Sequence, residues 1–420
     1  MKKLFLILFA LLMLACNNNT QNKFIVNDSH LDYLYEEINV DGKDMAVIHI
    51  YSNYPDYQYI GDDDEGFACV DDAARAALYY LNEGILNGND ESIHKNKMLV
   101  NFLLYMQSGN GYFYNFIWED YSINKDFETS VAEANWWTWR ALWTLAVSYN
   151  FYKENDKEFA AEIFASVEKL IKVIKENIPQ EYTYENISGI KISAWLPFKH
   201  AADQSSVLLL GLLEYYKQTN DEIILNYIKK LCEGIIQMQV KYPSNEYNGA
   251  FLSWMNQWHA WGNSQSYALL KCYKVLKDEK LLQTALAELN GFYAALITKG
   301  YLNSFTAAKE ENITKITSKE QFSQIAYNIR PMVYAFMEAY KITGEERYAK
   351  MAGTAARWFA GDNPAGTEMY NPKTGIIFDG INSVNDVNKN SGAESTIEGL
   401  LSLLEISQNN IALTEFLNHK

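Results

Sequence analysis

The stretch CVDDAARAALYYLNEGIL, residues 69–86, carries the pattern that decides the fold. Its apolar side chains recur three and four positions apart, which is the spacing of one face of an α-helix. The residues at this spacing are Val70, Ala73, Ala74, Ala77, Leu78, Leu81 and Ile85. Two acidic residues, Asp71 and Asp72, stand in the first turn. The stretch therefore predicts an apolar helix with carboxylates at its amino end.

Helices of this kind recur along the chain every 60 to 70 residues, each followed by a more charged helix. Residues 207–213 (VLLLGLL) are apolar all round, whereas residues 162–175 alternate apolar and charged faces. The first pattern is typical of a helix covered on both sides, and the second of a helix with one wet face. The apolar members are predicted to begin near Asp72, Glu133, Asp203, Asn263, Gln324 and Glu394.

Six such helix pairs predict an all-α fold, a closed ring of six helical hairpins called an (α/α)6 toroid. An open array would need polar caps at both ends, and the terminal hairpins do not have that composition. Residues 61–420 are expected to form the toroid as one catalytic domain. Residues 17–60 are expected to form a tether and an N-terminal extension, with a short strand at 45–50.

The first 16 residues are predicted to be a signal peptide. Lys2 and Lys3 precede an apolar run over residues 4–15, which is shorter than the ~20 residues that cross a bilayer. Because Cys16 follows Leu14 and Ala15, the segment resembles a bacterial lipoprotein signal with Cys16 as the lipidated residue. We therefore expect a protein anchored by lipid in the periplasm or at the cell surface of a bacterium.

Charge and cysteine content exclude several classes of function. The chain has 36 Lys+Arg against 52 Asp+Glu, a formal net charge of −16. That charge repels nucleic acid and anionic membranes. The three cysteines beyond Cys16 are far apart and the six histidines are scattered, so neither a disulfide framework nor a metal site is expected. No cofactor is expected either.

Polar side chains are concentrated just before each apolar helix. In a ring of parallel inner helices these amino ends meet at one opening, which we call the mouth. Acidic and amide residues there could simply cap the helices. However, nine of the ten tryptophans also lie in or beside these segments. Tryptophan beside carboxylates and amides predicts a concave site with apolar walls and a few polar anchors, suited to the faces of sugar rings.

The candidate catalytic residues are Asp71, Asp72 and Glu394, because glycoside hydrolysis needs two carboxyl groups. In a closed ring the first and sixth hairpins are neighbours, which allows these groups to face each other. Arg75 is predicted to pair with Asp72 or Glu394. Glu398, one turn beyond Glu394, is predicted either to form a salt bridge with Arg75 or to be a buried carboxyl with a raised pKa. The candidate substrate-binding residues are Glu133, Trp136, Trp195, His200, Asp203, Trp258, His259, Asn263, Tyr327, Arg330 and Asn390.

Three motifs resemble the six-hairpin glycosidase superfamily. CVDDAARAALYYL (69–81) and NSGAESTIEGLLSLLEI (390–406) are similar to its helix starts, and WFAGDNPAGTEMY (358–370) is similar to the GxNP stretch of family nine endoglucanases. The resemblance implies that Asp71 or Asp72 is the base and Glu394 the proton donor of an inverting hydrolase.

The expected function is a secreted, lipid-anchored glycoside hydrolase that cleaves oligo- or polysaccharide. Two alternatives stay open. A polysaccharide lyase or uronate-specific enzyme on the same fold would use Tyr327 or His259 as the base and Arg330 to neutralise the substrate carboxylate. A glycan-binding lipoprotein without catalysis would bind sugar and release it unchanged.

Overall fold

The computed structural model describes residues 26–242, 245–311 and 313–418. In chain order, its helices are α1 (Ser29–Leu34), α2 (Val70–Asn87), α3 (Asp90–Tyr105), α4 (Trp136–Asn155), α5 (Lys157–Glu176), α6 (Ala202–Thr219), α7 (Glu222–Gln237), α8 (Gln265–Leu276), α9 (Glu279–Ala287), α10 (Ala294–Lys299), α11 (Arg330–Thr343), α12 (Glu346–Ala356), α13 (Ala393–Ser407) and α14 (Asn410–Leu417). A π-helical turn, Glu288–Tyr293, connects α9 to α10.

Six of these helices form a closed inner ring. Helices α2, α4, α6, α8, α11 and α13 each pack against the next, and α13 packs against α2. Each inner helix also packs against the helix that follows it, so that α3, α5, α7, α9, α12 and α14 form the outer layer. The predicted (α/α)6 toroid is therefore confirmed.

The two layers follow from the sequence pattern. In inner helix α6 every residue from 202 to 213 is buried, because neighbours cover it on all sides. Outer helix α5 buries Ile163, Leu170 and Ile174 and exposes Glu162 and Lys172, as its amphipathic pattern predicts.

The turns between paired helices are short and capped. Helix α2 ends at Gly88, which adopts the left-handed conformation that glycine tolerates best. The side chain of Asn89 then accepts hydrogen bonds from the amides of Glu91 and Ser92 and begins α3. Two residues thus reverse the chain, which keeps α3 against α2.

Short strands, mostly absent from the sequence prediction, occupy the segments around the ring. They are β1 (Tyr35–Val40), β2 (Lys43–Ile48), β3 (Tyr51–Asn53), β4 (Gln58–Ile60), β5 (Ala68–Cys69), β6 (Phe116–Ile117), β7 (Tyr184–Ile187), β8 (Ile190–Ser193), β9 (Gln257–His259), β10 (Ser304–Glu310), β11 (Ile313–Glu320), β12 (Gln324–Ile325), β13 (Gly380–Ser383) and β14 (Asp386–Asn388). All pair in antiparallel sheets of two or three strands.

Two of these strands bear on specific predictions. The strand expected at 45–50 is β2, which pairs with β1 and packs against α3. The fifth inner helix was expected near Gln324 but begins at Arg330. The reason is that Gln324 pairs with Ile381 in a sheet, and residues 326–328 form a 3-10 turn before the helix.

Some predictions are not tested by the fold. The predicted division at residue 60 stays a prediction. The signal peptide and Cys16 lie outside the described residues. Within the part of the chain that is described, no helix has both the length and the hydropathy to cross a bilayer.

Candidate active site

The site lies at the mouth, where the amino ends of four inner helices bring acidic and basic side chains together. Asp71, Asp72 and Arg75 come from the first turns of α2, and Arg140 comes from α4. Arg330 begins α11, and Glu394 and Glu398 come from the first turns of α13. The predicted approach of the first and sixth hairpins therefore takes place.

Arg75 joins the carboxylates of the first and sixth hairpins. Its Nη2 lies 2.6 Å from Oδ1 of Asp72, and its Nη1 lies 3.0 Å from Oε2 of Glu394 and 3.2 Å from Oε1 of Glu398. One guanidinium thus separates Asp72 from Glu394. The expected pairing of Arg75 with these groups is confirmed.

Two further arginines complete the network. Arg140 forms an ion pair with Oδ2 of Asp71, and Arg330 forms one with Oε2 of Glu398. Arg140 also donates a hydrogen bond from Nη2 to the hydroxyl of Tyr327, at 2.8 Å.

The ring of Tyr327 lies at the centre of the three guanidiniums. The guanidinium carbons lie 5.3 Å from the ring centroid for Arg75, and 5.4 Å for both Arg140 and Arg330. This is the range of cation–π contacts. The aromatic ring therefore packs against all three cations and holds them at fixed spacing.

The network has one more acid than base. Asp71, Asp72, Glu394 and Glu398 face only three guanidiniums. Burial raises the pKa of Asp72 to about 6, with Arg75 acting against the shift and Glu394 and Asp71 adding to it. A carboxyl group whose pKa is raised towards neutral pH exchanges its proton there more readily, which is what acid–base catalysis requires.

The three candidate catalytic carboxylates differ in access. Asp72 is buried, and the thiol of Cys69 lies 3.3 Å from its Oδ2. Asp71 gives Oδ2 to Arg140, while within the described chain no group hydrogen-bonds to its buried Oδ1. The side chain of Glu394 is 43% exposed. Since the side chain of Asp71 is 20% exposed, a substrate or water can reach Asp71 and Glu394 but not Asp72.

Aromatic rings form the wall next to the charged network. Trp136 packs over the guanidinium of Arg140, 5.0 Å from ring centroid to guanidinium carbon, and its ring lies 5.9 Å from that of Trp261. A Cβ atom at Gly262 would come within 3.1 Å of Trp136 and 3.3 Å of the Tyr327 hydroxyl. Since Gly262 also has a φ of +73°, glycine is required for this close approach.

Asp203, His259 and Asn263 support this wall from below. His259 Nε2 lies 2.9 Å from Oδ2 of Asp203, and both residues are buried. The amide of Asn263 donates to the carbonyl oxygen of His259 and accepts from the hydroxyl of Ser253. These predicted substrate-binding residues bond mainly to each other.

Three other predicted binding residues are enclosed by the protein. Trp195 is buried between the edges of Tyr182 and Tyr184, and Trp258 is buried in a stack with Phe305. Arg330 is buried against Glu398. The structure does not bring these side chains to the mouth surface, because the two tryptophans pack against other aromatic rings and Arg330 is enclosed within the charged network.

The remaining three predicted binding residues have local partners. His200 is buried with Nε2 3.1 Å from Oε2 of Glu185. Glu133 accepts a hydrogen bond from the side-chain amide of Asn135, the residue that caps α4. The side chain of Asn390 accepts a hydrogen bond from the amide of Tyr54 and ties the N-terminal segment to the loop before α13.

Two residues of the site were not among the predicted site residues. Arg140 lies one turn into α4, as Arg75 does in α2, and this shared position within an apolar helix is a signal that the sequence contains. Trp261 is the exposed ring beside Trp136. It stands among three tryptophans within eight residues, and the sequence does not show which of them is exposed.

Comparisons with known proteins confirm the fold. No family model and no curated protein matches the chain. Among solved structures, a sugar epimerase from a ruminal bacterium is 15% identical with a TM-score of 0.60, over 90% of this chain and 95% of that one. A family 76 glycoside hydrolase from a bovine Bacteroides thetaiotaomicron strain is 16% identical with a TM-score of 0.54, over 91% and 77%. A metagenome-derived family 9 endoglucanase is 13% identical with a TM-score of 0.53, over 92% and 79%.

Proposed function

We propose that the protein is a carbohydrate-active enzyme, and specifically a glycoside hydrolase that uses Asp71 and Glu394. The observation that carries this proposal is the convergence of Asp71, Asp72 and Glu394 from the first and sixth hairpins on one arginine network at the mouth. Hydrolysis of a glycosidic bond needs two such carboxyl groups on either side of the bond.

The access of each carboxylate assigns its role. Asp71, whose side chain is 20% exposed, accepts a proton from the attacking water. Glu394 has the exposed carboxyl and donates a proton to the leaving glycosidic oxygen. The water oxygen bonds to the anomeric carbon as the bond to the leaving oxygen breaks, so the proton lost to Asp71 balances the one supplied by Glu394.

The remaining residues of the network hold these two groups in place. Asp72 and Glu398 fix Arg75 from two sides, and Arg140 fixes the second oxygen of Asp71. Trp136 and Trp261 supply the apolar wall on which a sugar ring packs. The likeness to the family 76 glycoside hydrolase and the family 9 endoglucanase adds support for a hydrolase.

The test is a screen of neutral glycans for release of reducing ends. The wild type is compared with Asp71→Asn, and with Glu405→Gln as the control. Glu405 lies at the other end of α13 and pairs with Lys341. We expect cleavage of at least one glycan by the wild type and the control, and loss of cleavage in Asp71→Asn. Full activity of Asp71→Asn would contradict the assignment.

Sugar epimerisation is the second candidate. It is favoured by the likeness to the ruminal sugar epimerase over nearly the whole length of both chains. A carboxylate cluster with an exchangeable proton also suits removal and return of a proton at a sugar carbon. Nuclear magnetic resonance of a neutral disaccharide separates the two, because an epimerase changes the configuration of one carbon without cleaving the sugar.

The lyase alternative has less support from the site. It required Arg330 to neutralise a substrate carboxylate, whereas Arg330 is 3% exposed and paired with Glu398. The hydroxyl of Tyr327, the other expected participant, is engaged by Arg140. An increase in ultraviolet absorbance during incubation with uronic acid polymers, from an unsaturated sugar product, would restore the lyase alternative.

We further propose that the protein is secreted and anchored through lipid on Cys16. The support is the sequence of residues 2–16, in which two lysines are followed by an apolar run that ends in Leu-Ala-Cys. Mass spectrometry of the mature protein is expected to find acyl groups on Cys16, and Cys16→Ser is expected to release the protein from membranes. An unmodified Cys16 in the mature chain would contradict this proposal.

A further inference from the structure

We propose that Trp261 is a sugar-binding platform whose ring is held in position by His259 and Asp203. The platform takes the apolar face of an uncharged pyranose, at the sugar unit next to the bond that is cleaved. This inference rests on the proposed function for the position of that bond, but the binding of sugar to Trp261 is measured separately from cleavage.

The exposure and stacking of Trp261 identify the platform. Trp261 is 38% exposed, whereas five of the other tryptophans are buried among the described residues. Its other face stacks on His259, with ring centroids 3.7 Å apart and an angle of 15° between the planes. One face of the indole is therefore fixed by the protein, and the exposed part of the residue is available to a ligand.

His259 has no ring nitrogen left for a substrate. Nε2 faces Oδ2 of Asp203 at 2.9 Å, and Nδ1 faces the carbonyl oxygen of Trp261 at 2.9 Å. Two bonds in different directions fix the plane of the imidazole, and the stacked indole must follow that plane. His259 is therefore a positioning residue, which acts on a sugar through Trp261.

Asp203 anchors the pair to the inner ring. It lies in the first turn of α6 and is 3% exposed. Its Oδ1 accepts a hydrogen bond from the backbone amide of Gln204, at 2.6 Å, while Oδ2 faces His259. The platform is thus connected to a rigid helix and not only to the loop that carries Trp261. Rigid support of this kind is what precise binding requires.

Two side chains connect the platform to the reacting carboxylate. Trp261 contacts Trp136, Trp136 packs on Arg140, and Arg140 holds Asp71. This connection is the reason for assigning the platform to a sugar unit near the cleaved bond.

The charges of the site determine which sugars suit the platform. Each of the three guanidiniums already faces a carboxylate, and the network has one carboxylate in excess. A uronate or sulfated sugar would add negative charge without a free partner, which is costly in a desolvated site. The expected ligands are neutral glycans.

The experiment is isothermal titration calorimetry with three probes: the β-1,4-glucose, α-1,6-mannose and β-1,4-xylose hexasaccharides. We expect at least one probe to bind the wild type, and Trp261→Ala to weaken that binding about tenfold, or about 1.4 kcal/mol. Trp261→Tyr should restore part of it. The control is Tyr273→Ala, a ring near the carboxyl end of α8, at the end of the inner ring opposite the mouth.

The positioning role is tested with a double-mutant cycle. His259→Gln is expected to weaken binding severalfold in the wild type and to have no further effect in Trp261→Ala, since it acts through the indole. Asp203→Asn replaces His259→Gln in the cycle if the latter variant fails to fold in a thermal melt. Additive losses would show that His259 acts independently of Trp261 and would overturn the proposal.

The remaining outcomes are also decisive. Unchanged binding in Trp261→Ala, or no binding of any probe to the wild type, would overturn the platform. Binding that depends on Trp261 without cleavage of any probe would support the platform and count against the hydrolase, so the two failures are distinguishable.

Discussion

The two ends of the inner ring are built from the same six helices but carry their charges differently. At the mouth, Arg75, Asp72 and Glu398 are buried and connect different hairpins. At the opposite end, a cavity of about 390 Å³ is lined by all six inner helices, with Tyr267 and Tyr334 among its side chains.

Charged pairs at that far end are open to water. Lys341 pairs with Glu405 across two neighbouring hairpins, as Arg75 pairs with Glu398 at the mouth, but the side chain of Lys341 is 47% exposed. Exposed pairs contribute little to stability. Burial and sharing of charge, and not charge alone, therefore distinguish the mouth from the far end.

The largest change in activity is expected when two glutamates of α13 are compared. Glu394→Gln at the mouth should lower kcat/KM by about 10³, within the range of general acid–base catalysis, because the amide cannot donate the proton. Glu405→Gln at the far end should leave kcat/KM within about twofold. Steady-state hydrolysis of the glycan that the wild type cleaves fastest measures both values. Similar values for the two variants would mean that the mouth and the far end do not differ in their role in catalysis.

The second-largest effect is expected in the free energy of unfolding, when Glu398 at the mouth is compared with Glu405 at the far end. Glu398 is fully buried and faces both Arg75 and Arg330. Glu398→Ala leaves buried cations without their partner and should cost about 3–5 kcal/mol. Glu405→Ala should cost at most about 1 kcal/mol. Urea unfolding measures the two free energies, and equal costs would mean that the buried network has no special energetic role.

A smaller effect is expected in the pH dependence of stability. The folded-state pKa of Asp72 is about 6, raised from 3.8 chiefly by burial. The folded state binds the proton of Asp72 more tightly than the unfolded chain does. Its contribution to the free energy of unfolding is therefore fully present below about pH 4 and is lost as the pH rises through 6. The shift corresponds to about 3 kcal/mol.

Urea unfolding between pH 4 and pH 7 tests this expectation. The wild type should lose stability relative to Asp72→Asn as the pH increases, since the amide does not titrate. Parallel curves for the two proteins would show that Asp72 keeps its ordinary proton affinity, and that the mouth does not hold the proposed proton.

The smallest effect is expected from the far-end cation. Lys341→Ala removes an exposed ion pair with Glu405, and should change the free energy of unfolding by less than about 1 kcal/mol. Its activity on glycans should equal that of the wild type. A large loss of activity would show that the far-end cavity takes part in function.

Much of the fold was predictable because the inner and outer helices have different periodic patterns. The ring closure and five of the six helix starts, each within three residues, follow from those patterns, and the pairing of Asp72 and Glu394 through Arg75 follows from the closure. Apart from β2, the short strands were missed because segments of two to eight residues carry little periodic signal. Their pairing partners, such as Ile381 for Gln324, are distant in sequence.

The site was only partly predictable. The acidic residues and Trp136 reach the mouth, but the sequence does not distinguish an indole that lines the mouth from one that fills the core. Trp258 and Trp261 are three residues apart, yet the first is buried beside Phe305 and the second is exposed. That outcome depends on the β9–β10 pairing, in which Trp258 lies opposite Phe305.

The most direct test of the account is a crystal structure of the Glu394→Gln variant with a neutral hexasaccharide bound. We expect a sugar chain at the mouth, with one ring on Trp261 and a glycosidic oxygen between Asp71 and the substituted position 394. A sugar chain bound instead in the far-end cavity beside Tyr267 and Tyr334, with the mouth empty, would contradict it.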